Sequence, residues 1–163
     1  MCLLRVAPQD LPASSLLLAL AIAAHAGLGT VVSLLYVPFS TALGVSVTGT
    51  VLLGVLAYAL LSFRGLVARF SQTYAALAGT GAVLEAVALP IVAVLDGTSS
   101  SDAPSATGVL RTVPWLALLV WSWVVSGHIL RHALSVHITA GIGISMAFFW
   151  LSAVVIHRVF GSF

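Results

Sequence analysis

The chain has 163 residues, 61% of them hydrophobic and only 6% charged, with six basic and four acidic side chains and a net charge of +2. So few charges cannot cover a water-facing globule, and a balance this small excludes a nucleic-acid surface; the composition is that of an integral membrane protein. The basic residues are all Arg and read as topology markers, and a lone cysteine, Cys2, excludes an internal disulfide.

Cut at charges, prolines and polar clusters, the chain leaves five apolar stretches near the ~20 residues that a helix needs to cross a bilayer: 15–37, 43–63, 74–95, 115–134 and 138–157. They predict an all-α polytopic membrane protein, a compact bundle of five transmembrane helices forming a single domain over 1–163. A four-span alternative loses the second stretch. Ser14 or Asp10 is placed to cap the first helix and Pro38 to close it. Its apolar core exceeds the ~7–15 residues of a signal peptide, so it reads as a retained span.

The first span carries His25 with Gly27 and Gly29. The third carries Ala75, Gly79, Gly81 and Ala82, then Glu85, the only acid within any span, followed by Pro90. An ionised carboxylate at mid-membrane costs at least ~2.5 kcal/mol, so Glu85 must be protonated, paired or beside water. At a rise of ~1.5 Å per residue, His25 and Glu85 both lie near the midplane, and a hydrogen bond between them would fix helix one against helix three. Pro90 leaves the Ala86 carbonyl without its usual donor and predicts a kink beside the acid.

A polar Ser-, Gly- and Pro-rich segment, 96–112, reads as a loop, and Pro114 marks the start of the fourth span. That span ends in Ser126-Gly-His128-Ile-Leu-Arg131-His132-Ala-Leu134, with both histidines on one helical face. Two histidines are too few for a closed metal site, so no metal is expected. Arg131 and His132 read instead as interface residues reaching lipid phosphates. With His128, His137, Arg64 and Arg69 they form a collar at one membrane face, suited to lipid or a partner surface. Trp115, Trp121 and Trp123 suit an aromatic belt. The small residues of the first, third and fifth spans, the last with Gly141, Gly143 and Ser145, predict that these three helices meet closely.

With five spans, Arg5, Arg64, Arg69 and Arg131 fall on one side, and Arg111 and Arg158 on the other with Asp96 and Asp102. The positive-inside rule then puts the N-terminus in the cytoplasm and the C-terminus outside, the expected setting being a bacterial inner membrane. The chain has no G-x-S-x-G, phosphate-binding glycine loop, H-E-x-x-H or cysteine pair, so no enzyme activity is expected.

Five short-looped spans in this orientation resemble the Rab-interacting, Yip-type five-span Golgi proteins and their uncharacterised bacterial relatives. Arg69-Phe-Ser-Gln-Thr-Tyr74 and Ala78-Gly-Thr-Gly-Ala82 are similar to stretches of small bacterial membrane proteins. The resemblance implies a partner-binding or membrane-organising role without catalysis. The expected function is therefore a non-enzymatic subunit or organiser of a larger membrane assembly, in contact with lipids and with other membrane subunits or copies of itself. One alternative is a small transporter or proton-handling channel subunit using Glu85 and His25. Another is a haem- or chlorophyll-binding subunit: Ala21-Ile-Ala-Ala-His25 resembles the Ala-x-x-x-His pattern of single-span light-harvesting polypeptides, which implies ligation by His25, and His128 is the other candidate ligand.

Overall fold

The computed structural model describes residue 2, residues 8–96 and residues 106–161, with the backbone alone for 94–96 and 106–111. Among the described residues there are five long helices and no strand: α1 (Ser15–Ser33), α2 (Phe39–Phe63), α3 (Phe70–Asp96), α4 (Ala106–Leu134) and α5 (Ile138–Phe160). All five are long and apolar enough to cross a membrane. Short 3-10 turns at Pro8–Asp10 and Val67–Arg69 precede α1 and α3. The protein is an all-α bundle of multi-pass membrane type.

Local chemistry sets the helix limits. The Ser14 hydroxyl accepts the Leu17 amide, satisfying one of the unpaired donors at the start of α1. That helix stops at Ser33, ahead of the expected 37; the chain turns over Leu34–Val37, and Pro38 stands as the residue that opens α2. Pro38 thus starts the second helix rather than ending the first, and α2 begins at 39, not 43.

Two further corrections concern the expected loop over 96–112 and the start of the fourth helix at 115. Residues 97–105 lie outside the described residues, whereas 106–112 are helical, so Pro114 sits inside α4. One proline removes one donor, to the Leu110 carbonyl, and the helix continues on both sides of it. Pro90 likewise lies inside α3, which runs on to Asp96.

Helices α1 and α3 run parallel and form the most extensive contact of the bundle, while α4 packs between α3 and α5 and α2 lies against α1, α3 and α5. Small residues explain the first contact: Ala21 meets Gly79, the His25 ring lies over Gly81, and the Glu85 carboxylate lies against Gly29. The expectation that α5 joins α1 and α3 is not met. Gly141 serves α4 instead: it is pressed on the Gly127 carbonyl, and a methyl group on Gly127 would stand 2.8 Å from the Ile142 backbone. Small residues announce close approach without naming the neighbour.

Hydroxyls tie the helices together. Ser46 in α2 donates to the Ala26 carbonyl of α1 (2.7 Å), Tyr74 in α3 to the Thr50 carbonyl of α2 (2.8 Å), and Ser145 in α5 to the Trp123 carbonyl of α4 (3.1 Å). Each such bond between membrane helices contributes ~0.6 kcal/mol on average. The apolar core around Ala57, Leu77, Val125 and Ile129 sits toward the end of the bundle where α2 finishes and α3 begins.

Candidate functional site

The structure brings His25 and Glu85 together: Nδ1 and Oε2 are 3.1 Å apart, and neither atom has another hydrogen-bond partner among the described residues. The pairing follows from a reciprocal arrangement one helical turn deep. On α1, His25 is followed by Gly29; on α3, Gly81 is followed by Glu85; each polar side chain lies over the glycine of the opposite helix. Neither glycine position has spare room. A methyl group on Gly81 would stand 3.0 Å from the His25 ring, and one on Gly29 would stand 3.0 Å from Glu85 Oε1 and 2.6 Å from Ser46 Oγ.

The pair is not sealed in the helix interface. The His25 side chain keeps 19% and that of Glu85 25% of its surface, and both line a cavity of about 400 Å³ to which all five helices contribute. Its walls are mainly apolar, with Leu53, Leu77, Phe148, Phe149 and Ile156, but a set of hydroxyls runs along them: Ser46 and Thr50 on α2, Ser126 on α4, Ser145 and Ser152 on α5. Three of these are oriented by the protein. Ser46 and Ser145 donate to α1 and α4, and Thr50 donates to the Ser46 carbonyl, so their oxygen lone pairs remain available. The Ser152 hydroxyl is buried without a partner among the described residues. An acid, an imidazole and a row of hydroxyls around one space can hold water or a small solute, and can pass a proton between His25 and Glu85.

The sequence reading singled out the pair and missed most of the hydroxyls. Ser46 and Thr50 stand four apart, and Ser145 and Ser152 seven apart, each spacing placing two hydroxyls on one helical face. That spacing was the available signal.

The arginine-rich end is built differently from an open collar. Arg69 Nη1 donates to the carbonyls of His132 (3.4 Å) and Ala133 (3.2 Å) and to Ser135 Oγ (3.2 Å), and Arg64 Nη2 reaches the Leu134 carbonyl (3.4 Å). Both arginines therefore occupy the C-terminus of α4, where unpaired carbonyls and the negative end of the helix dipole favour cations. The α4 chain ends in a left-handed turn at Ser135 (φ 54°), with the Val136 amide returning to the Arg131 carbonyl.

The segment before α1 closes the same end. The Gln9 amide donates to the His132 carbonyl (3.0 Å), and the Gln72 amide to the Leu11 carbonyl (2.6 Å), while Pro8 is fully buried. His128 is 6% exposed, so it does not reach the interface; its ring meets that of His132 edge-on at 4.7 Å. Arg131 Nε donates to His132 Nε2 (3.2 Å). Among the described residues, no three His, Cys, Asp or Glu side chains gather as a metal-ion site.

No family model, curated protein or solved structure matches the chain. Trp115 and Trp121 are partly exposed on α4, whereas Trp123 packs on Phe149 of α5.

Proposed function

We propose that this protein is a non-catalytic membrane protein that handles protons, alone or together with a small solute, through the cavity lined by His25 and Glu85. One observation carries the reading: both members of the ionisable pair line an intramembrane cavity, and each keeps a quarter or less of its side-chain surface exposed. An acid and an imidazole in this setting are costly, and such residues mark ion and proton pathways by default. With one proton to share, the pair exists as carboxylic acid and neutral imidazole or as carboxylate and imidazolium. A second proton, or a solute bearing positive charge, changes the net charge of the site. The hydroxyls of Ser46, Thr50, Ser126 and Ser145 can orient water or solute along the way.

In this reading Arg64, Arg69 and Arg131 mark the cytoplasmic side, the N-terminus is cytoplasmic and the C-terminus outside, in a bacterial inner membrane. The test is proton movement into vesicles carrying the purified protein and an entrapped pH indicator. Vesicles with the protein should dissipate an imposed pH gradient faster than empty ones, and Glu85→Gln should return the rate to the empty-vesicle value. Equal rates for wild type and Glu85→Gln contradict the proposal.

A second reading, the non-enzymatic subunit or organiser implied by the resemblance to five-span Rab-interacting Golgi proteins, has its own support. Thr139, Gly143 and Ala147 lie along an exposed face of α5, and among the described residues nothing stands within 4 Å of where a Gly143 side chain would begin. A smooth small-residue face suits another membrane helix. Co-purification of a second membrane chain, lost on Gly143→Ile with proton movement unchanged, favours it.

A further inference from the structure

A second pocket, of about 380 Å³, opens at the arginine-rich end between the last turn of α4, the turn over Ser135–His137 and the start of α5. Its polar lining is Gln9, Arg131, His132, Ser135 and His137. Among the described residues no carboxylate lines it; Asp10, although adjacent to Gln9 in sequence, is not part of the wall. We propose that this pocket binds a phosphate group, carried by a phospholipid headgroup or by a free phosphate.

Three observations point to that chemistry. The first is a difference among the arginines at this end. Arg64 and Arg69 spend their guanidinium Nη groups on α4 carbonyls, whereas Arg131, which lines the pocket, bonds through Nε alone among the described residues, so its two Nη groups remain for a ligand. The planar guanidinium fork matches two oxygens of a phosphate. Because Arg64, Arg69 and Gln9 already satisfy the α4 carbonyls, the charge of Arg131 is not drawn to them.

The second observation is rigidity. Gly141 packs directly on the Arg131 backbone and Cβ, at 3.2 Å from where its own Cβ would stand, so the base of this side chain is fixed at the α4–α5 crossing. Its Nε is held by His132 Nε2, which accepts and therefore leaves the imidazole proton on Nδ1, a further donor. The third is the opposite wall. His137 precedes α5 without capping it by a side-chain hydrogen bond, and its Nδ1 lies 3.2 Å from Thr139 Oγ1, with no hydrogen bond to Nε2 among the described residues. The first amides of α5 thus add donors and a positive dipole end to the charges of the side chains. The pocket also lies level with the ends of two candidate spans, at Leu134 and Ile138, the depth at which lipid phosphates lie.

The experiment uses the full chain in an uncharged detergent, with two probes: inorganic phosphate, and phosphatidylglycerol added in mixed micelles. Binding of each is read by native mass spectrometry and by the shift of the thermal unfolding midpoint. Wild type should bind at least one probe, and Arg131→Gln should weaken that binding about tenfold or more, as expected for loss of a charge-assisted pair. Phosphatidylglycerol without inorganic phosphate identifies a headgroup site; binding of inorganic phosphate identifies a free-phosphate site. His137→Ala, at an exposed position outside the helix contacts, should weaken the same probe several-fold and serves where Arg131→Gln does not fold. Binding of neither probe by wild type, or equal binding by wild type and folded variants, overturns the proposal.

Discussion

Replacing Gly29 by Ala places a methyl group 2.6 Å from Ser46 Oγ and 3.0 Å from Glu85 Oε1. Both groups are held. Ser46 donates to the Ala26 carbonyl, and Glu85 is paired with His25, so neither can retreat without loosening a contact. Overpacking of this kind costs about 1–3 kcal/mol. It is partly offset by the ~1 kcal/mol that Ala gains over Gly inside a helix. The control is Gly27→Ala on the same helix, where nothing stands within 4 Å and only the propensity gain applies. The two variants should therefore differ by about 1–3 kcal/mol, and at roughly 2–4 °C per kcal/mol for a chain of this length the difference in unfolding midpoint in detergent should be several degrees. Adding Ser46→Ala removes the oxygen at 2.6 Å and leaves Ser46 Cβ at an ordinary 3.5 Å, so the double variant should recover part of the loss. If Gly29→Ala unfolds at the same temperature as Gly27→Ala, the reciprocal packing of α1 and α3 is not as described.

Other outcomes follow from the same packing. Gly141→Ala should be the most damaging glycine substitution, because its methyl group meets the Gly127 carbonyl and no side chain can move aside; loss of a monodisperse peak in size-exclusion chromatography would show it. Arg69→Ala removes the donor shared by the His132 and Ala133 carbonyls and should lower stability by about 1–3 kcal/mol in detergent unfolding, with faster amide exchange confined to the last turn of α4. Tyr74→Phe breaks the bond to the Thr50 carbonyl and should cost only ~0.6 kcal/mol, readable as a shift of one or two degrees.

Much of this architecture was legible from where hydrophobic runs stop. The five helices and the common depth of His25 and Glu85 follow from run length and helical rise alone. The helix limits were less so, because a proline marks an interruption without saying on which side the helix lies: Pro38 opens α2, and Pro114 sits inside α4. The neighbour of α5 was also hidden. Gly141 and Gly143 look alike in sequence, yet one presses on α4 and the other faces outward, a distinction made by helix rotation rather than composition.

At the candidate site, charge was conspicuous and hydroxyls were not. His25 and Glu85 stand out because ionisable groups are rare in the spans, whereas serine and threonine are common there and are usually satisfied by their own helix, as Thr30 and Thr80 are by the Ala26 and Ala76 carbonyls. Ser46 and Ser145 differ from them in bonding across to α1 and α4, and with Ser152 they line the cavity, which only the packed helices reveal. The arginines gave the opposite difficulty. Arg64, Arg69 and Arg131 read as one collar, and the structure divides them between capping α4 and lining a pocket.

The proposed sharing of a proton between His25 and Glu85 is tested most directly by infrared difference spectroscopy of the protein in membranes, taken between acid and alkaline buffer. A carboxylic-acid carbonyl band should change with pH, vanish in Glu85→Gln and move in His25→Gln, since the imidazole at 3.1 Å is the group that tunes it. A spectrum in which no carbonyl band depends on Glu85, or in which His25→Gln leaves that band in place, would contradict the account.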